Sequence, residues 1–108
     1  MALSNIRELF ESRSVYQSLV VCEDTCQNLV LRALVDEGYP AVPGTDEAGL
    51  EAFVTFKDRM LVLPRSLWDV TKPLVTGPTV NMIIFVDCQP DDDDTFLMRH
   101  ASVFIFSL

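Results

Sequence analysis

The stretch Val80-Asn81-Met82-Ile83-Ile84-Phe85-Val86-Asp87 decides how this chain folds. A strand with one solvated face alternates apolar and polar residues, because successive side chains point to opposite sides. Here Met82 through Val86 are apolar without interruption. The run therefore reads as a strand buried on both faces. A second run of this kind, Ala101–Leu108, carries Val103, Phe104, Ile105 and Phe106 in succession. Such a strand has to be paired, because an open apolar edge invites aggregation.

Between these runs lies the densest charge of the chain. Asp87, Asp91, Asp92, Asp93 and Asp94 place five carboxylates within eight residues. Like charges at this density repel and stay hydrated, so the segment is expected to be an exposed loop. Phe96 and Leu97 follow it directly and would form a small apolar anchor on its rim.

Working towards the N-terminus, Pro73, Gly77 and Pro78 are read as breaking a single helical turn that bears Leu67, Trp68 and Val70. Ala52–Phe56 and Met60–Leu63, joined by Lys57-Asp58-Arg59, read as a β-hairpin. Pro40, Pro43 and Gly44 mark a loop that continues through Asp46-Glu47-Ala48-Gly49. Before it, Cys22, Cys26, Leu29, Val30, Ala33 and Leu34 recur at helical spacing, and Gly38 supplies a stop. Asp24 with Gln27 has the spacing of a capping box for that helix, and Asn5 with Glu8 has it for a short first helix over residues 5–12. Residues 15–21 are open between a strand and an extension of the second helix. The expectation is a single α+β domain spanning residues 1–108. Its N-terminal helices would pack on a small mixed β-sheet as a single pair of layers.

The totals narrow the function. In 108 residues, 49% are hydrophobic, enough for a real core. The formal net charge of −8 argues against direct binding to nucleic acid or to an anionic membrane. The eight Lys and Arg residues are scattered, so no basic-aromatic surface emerges. No stretch approaches the roughly 20 apolar residues of a membrane span. An odd set of three cysteines, without an apolar leader in the first ten residues, points to a reducing intracellular compartment, cytoplasm or nucleus.

Candidate chemistry is sparse. Cys22, Cys26, Cys88 and His100 are soft-ligand types, but only the first two have the close pairing of a structural zinc site. Four consecutive aspartates lack the alternation and the glycine of a calcium loop. Neither a metal nor a cofactor is therefore expected. His100, the sole histidine, sits in no local Cys/His signature, and the four glycines form no phosphate-cradling loop.

The segment Leu29–Phe53, LVLRALVDEGYPAVPGTDEAGLEAF, carries a helix ending in Asp36-Glu37-Gly38-Tyr39, a short extended stretch, and an acidic segment closing on Phe53. This resembles the N-terminal jaw domain of the fifth shared subunit of eukaryotic nuclear RNA polymerases. The resemblance implies a nuclease-like mixed sheet without nuclease activity, in which Met82–Val86 and Ala101–Leu108 would be later strands. It covers about a quarter of the chain. It lacks the family's valine-lysine-rich segment around Trp68–Leu74, and the Asp91–Asp94 run is foreign to it.

The reading these residues support is a non-catalytic protein-interaction module and complex subunit. It would dock a basic, partly apolar partner through Asp87, Asp91, Asp92, Asp93, Asp94, Phe96 and Leu97. Homo-oligomerisation through the C-terminal strand is a further mode of assembly. Two alternatives stay open: a small thiol-dependent enzyme using Cys22 or Cys88 with His100, and an acidic mimic of nucleic acid.

Overall fold

A computed structural model describes residues 17–55, 60–75, 80–90 and 102–106. Strands and helices alternate as far as the fourth strand. Strand β1 (Gln17–Cys22) passes through a 3₁₀ turn (Asp24–Cys26) into helix α1 (Gln27–Asp36). Then follow β2 (Ala41–Pro43), α2 (Glu47–Thr55), β3 (Met60–Pro64), α3 (Arg65–Val75), β4 (Val80–Val86) and β5 (Ser102–Phe106). The five strands form one sheet in the order β2-β3-β1-β4-β5. The helices and the single small sheet give the α+β domain that the sequence predicts.

Two features of the arrangement differ from expectation. All four strand pairings are parallel, so the described sheet is not mixed. Helices cover both faces, which makes three layers rather than a pair. On one face Val20, Cys22, Met60, Val62, Met82, Ile84 and Val86 pack with Val30 and Leu34 of α1. On the other, Leu19, Val21, Leu61, Leu63, Ile83 and Phe85 pack with Phe53 of α2 and Trp68 of α3. Both differences have one cause. Parallel neighbours need a crossover, usually a helix, and the crossovers cover the faces.

The expected hairpin over residues 52–63 is accordingly absent. Its first half is the end of α2, and β3 pairs in parallel with both β1 and β2. The signal for α2 lies in the residues read as loop. The Asp46 carboxylate accepts the Ala48 N–H at 3.1 Å, occupying one of the donors a helix start leaves unpaired. Gly49 allows α2 to lie against β2, since a Cβ there would collide with the Pro43 carbonyl.

Helix α3 runs to Val75, past Pro73. A proline in the last turn deletes only the bond to the carbonyl four residues back, so the helix survives it. The open segment 15–21 resolves as strand from Gln17, and Gly38, at φ 89°, ends α1 as predicted. The Gly38 and Tyr39 amides donate back to Val35 and Leu34 at 3.0 and 3.1 Å. The first expected helix, residues 5–12, lies outside the described residues.

Candidate functional site

Parallel strands bring all their C-terminal ends to one edge of the sheet. Ligands of open parallel sheets bind there, in the crevice where neighbouring connections leave in opposite directions. In this order that point lies between β1 and β4. The chain leaves β1 towards β2, beyond β3, and leaves β4 towards β5 on the other side. The residues at the crevice are Glu23, Asp24 and Cys26 after β1, Arg65 and Ser66 after β3, and Asp87 and Cys88 after β4.

Asp24 does not cap its own helix. The N-caps of the 3₁₀ turn and of α1 make no side-chain cap bond. Its carboxylate instead accepts the Ser66 N–H at 3.0 Å, from the first turn of α3. That bond favours the ionised form and holds the Asp24 carboxyl below its ordinary range. The predicted capping box thus fails because the neighbouring β3–α3 junction offers unpaired donors in reach, a long-range partner that local spacing does not reveal.

Cys88, distant in sequence from Cys22 and Cys26, meets them at this same edge. Cys22 ends β1 opposite Val86, the last residue of β4. Its thiol donates to the Leu63 carbonyl at 3.5 Å, and that of Cys88 donates to the Val21 carbonyl at 3.3 Å. The Cys26 thiol donates to the Glu23 carbonyl at 3.4 Å. The sheet nevertheless divides them. Cys22 and Cys26 belong to the α1 face, and Cys88 packs on the face of α2 and α3. Among the described residues no cluster of three or more metal-ligating side chains is formed.

Burial keeps the thiols protonated. It pushes Cys22 up to about 12, with Cys26, Cys88 and Asp24 adding repulsion. Cys26 is raised first by burial, then by the negative charges of Asp87 and Glu23. Cys88 is raised by burial against the opposing pull of Arg65. The Arg65 guanidinium stands 5.9 Å above the Phe85 ring and 3.9 Å from the Asp69 carboxylate.

Asp87 is exposed at the exit of β4 and adopts φ 56°, a turn that redirects the chain at the end of the strand. Asp91, Asp92, Asp93, Asp94, Phe96, Leu97 and His100 lie outside the described residues. Sequence reading missed Glu23, Asp24, Arg65 and Ser66 as members of this edge. The signal that finds them is topological: each follows the end of a parallel strand.

Among the described residues, one buried side-chain donor has no counterpart. Gln27, at the first position of α1, is buried, and its Nε2 has no hydrogen-bond partner. Elsewhere, a shallow groove runs along the outer side of α1 past Leu29, Arg32 and Val35. Among the described residues no helix is long and apolar enough to cross a membrane. Compared with known proteins, the chain matches no family model, and neither a curated protein nor a solved structure aligns with it.

Proposed function

We propose that this chain is a non-catalytic interaction module that receives a basic, partly apolar protein partner at the carboxyl edge of its sheet, within a larger assembly. The observation that carries this reading is the gathering of exposed Glu23, Asp24 and Asp87 around the β1–β4 crevice. In the chain, Asp91–Asp94 follow Asp87 after three residues, and Phe96 and Leu97 come next. Carboxylates placed this way accelerate encounter and select a cationic surface, while the two apolar residues add buried area. The thiols support a binding role over a catalytic one. Each is neutral, with its proton directed at a backbone carbonyl, whereas a nucleophilic cysteine needs a stabilised thiolate.

The test uses a fluorescent deca-lysine peptide as a defined cationic probe, read by anisotropy over a salt series. Neutralising Asp87 and Asp91–Asp94 to asparagine should weaken binding and flatten its salt dependence. A charge-matched control neutralises Asp36, Glu37, Asp46, Glu47 and Glu51 to the corresponding amides, and should change binding less. Equal losses in the two variants would reduce the effect to bulk charge and remove the proposed edge. Native-state alkylation decides the thiol alternative. Slow modification of all three cysteines is expected, and one cysteine reacting at neutral pH like an activated thiol would favour an enzyme.

A further inference from the structure

We propose that β5 is the seam of a homodimer, in which two copies pair their β5 strands antiparallel about Phe104 and extend the sheet across the junction. This goes beyond the docking function and occupies a different part of the molecule.

The two edges of the sheet are built differently. The β2 edge is only three residues long and ends in Pro43, which has no N–H to offer. Short strands and prolines are the means by which natural sheets blunt an edge. The β5 edge has neither. Ala101–Leu108 contains no proline and no charged residue. Among the described residues, β5 is the last strand of the sheet and pairs with β4 on one side. Val103 and Ile105 sit opposite Ile83 and Phe85, on the face of α2 and α3, yet they remain 38% and 50% exposed. Phe104 points to the other face and packs against the α1 core.

A second copy fits this edge for two reasons. The first is register. With Phe104 on the twofold axis, Val103 of one copy lies opposite Ile105 of the second, and the reverse holds two residues on. Apolar side chains directly opposite in an antiparallel pair stand about 4.5–5.5 Å apart and stabilise it. The strand is therefore complementary to itself. The second reason is charge. Each chain carries a net −8, and its exposed Glu23, Asp24 and Asp87 lie at the carboxyl edge. Antiparallel pairing sends the two carboxyl edges to opposite ends of the joined sheet, whereas parallel pairing sets them side by side. A short strand spans about 17 Å, and charges further apart than about 8 Å are largely screened at physiological salt. Only the antiparallel orientation escapes the repulsion. Five residues per copy are far fewer than the roughly 20–30 a side of a standard interface, so the dimer is weak and concentration-dependent.

Sedimentation velocity on the full chain, from low micromolar to near-millimolar concentration, tests the seam. The average mass should rise from one chain towards two. Val103→Lys alone and Ile105→Glu alone should each hold the chain as a monomer, with circular dichroism confirming the fold. The double variant, Val103→Lys with Ile105→Glu, sets each new cation against a new anion of the second copy in the antiparallel register, and dimer should return. A parallel pair through this edge turns the two copies' faces opposite ways, so the new cation and anion do not meet, and dimer does not return. Should a charged variant fail to fold, Ile105→Thr keeps the β-branched shape and should still lower the dimer fraction several-fold. A wild-type chain that stays monomeric throughout overturns the proposal. So does a dimer indifferent to these substitutions, or a double variant that remains monomeric.

Discussion

Strands β1 and β5 are of similar length, and by hydropathy β5 is the more apolar of the two. β1 reads Gln-Ser-Leu-Val-Val-Cys, and every residue of it is buried. β5 reads Ser-Val-Phe-Ile-Phe, and Val103 and Ile105 lie open to solvent. The strand with polar residues is inside because β3 and β4 flank it and helices cover both its faces. Even Gln17 is accommodated, through a 2.7 Å bond from its Nε2 to the Phe53 carbonyl at the end of α2. Lateral position in the sheet, rather than side-chain hydropathy, sets the burial of a strand.

The largest expected effect tests that comparison directly. Leu19→Ala in β1 removes a fully buried side chain and should cost about 2–5 kcal/mol of stability, because the flanking layers cannot close the cavity. Ile105→Ala in β5 should cost less than about 1 kcal/mol, measured at concentrations where the chain is monomeric. Urea unfolding monitored by circular dichroism compares the two. Equal costs would mean that β5 is covered in solution, and the contrast between centre and edge would fail.

The opposite edge gives a second test. β2 is short, yet it is held where Gly49 of α2 packs against the Pro43 carbonyl. Gly49→Ala places a methyl group against backbone that cannot swing aside, and a loss of about 1–3 kcal/mol is expected. Ala48→Gly, one residue earlier on an exposed helical position, should cost no more than about 1 kcal/mol. If Gly49→Ala is as mild as its neighbour, α2 does not lock this edge.

How far the fold was legible follows from the same contrast. The unbroken run Met82–Val86 identified a strand buried on both faces, and Gly38 marked the end of α1. Those signals are local. Residues 52–63 misled because a short apolar run does not say whether the chain turns back or crosses over. The answer lay in Asp46, whose role as a helix start shows only once its bond to the Ala48 amide is seen. The candidate site was less legible still. Glu23, Asp24, Arg65 and Asp87 share an edge only because β1, β3 and β4 run in the same direction. Nothing in their spacing carries that information.

Gln27 offers a smaller effect of opposite sign. It lies at the exit of β1, buried like Gln17, but its amide nitrogen has no partner where that of Gln17 has one. Gln27→Leu removes an unpaired buried donor and should raise stability by about 1 kcal/mol in thermal unfolding. Gln17→Leu should lower it by a similar amount, since the Phe53 carbonyl would lose its donor. A loss at both positions would show that the Gln27 amide finds an acceptor in solution.

The smallest effect is set by pH. Asp24 leaves the end of β1 and caps α3, binding the central strand to the layer above it. Its folded pKa is lowered because the Ser66 N–H bond favours the carboxylate. The stabilisation is therefore present above the ordinary carboxyl range and disappears as pH falls through the lowered folded value. Asp24→Asn keeps an oxygen that can accept the bond and removes only the charge. The variant should melt slightly below the wild type at neutral pH, and the gap should close as pH falls through the lowered Asp24 value, where the wild-type carboxyl is protonated as well. A gap that persists unchanged into acid would mean that the carboxylate charge contributes nothing to this cap.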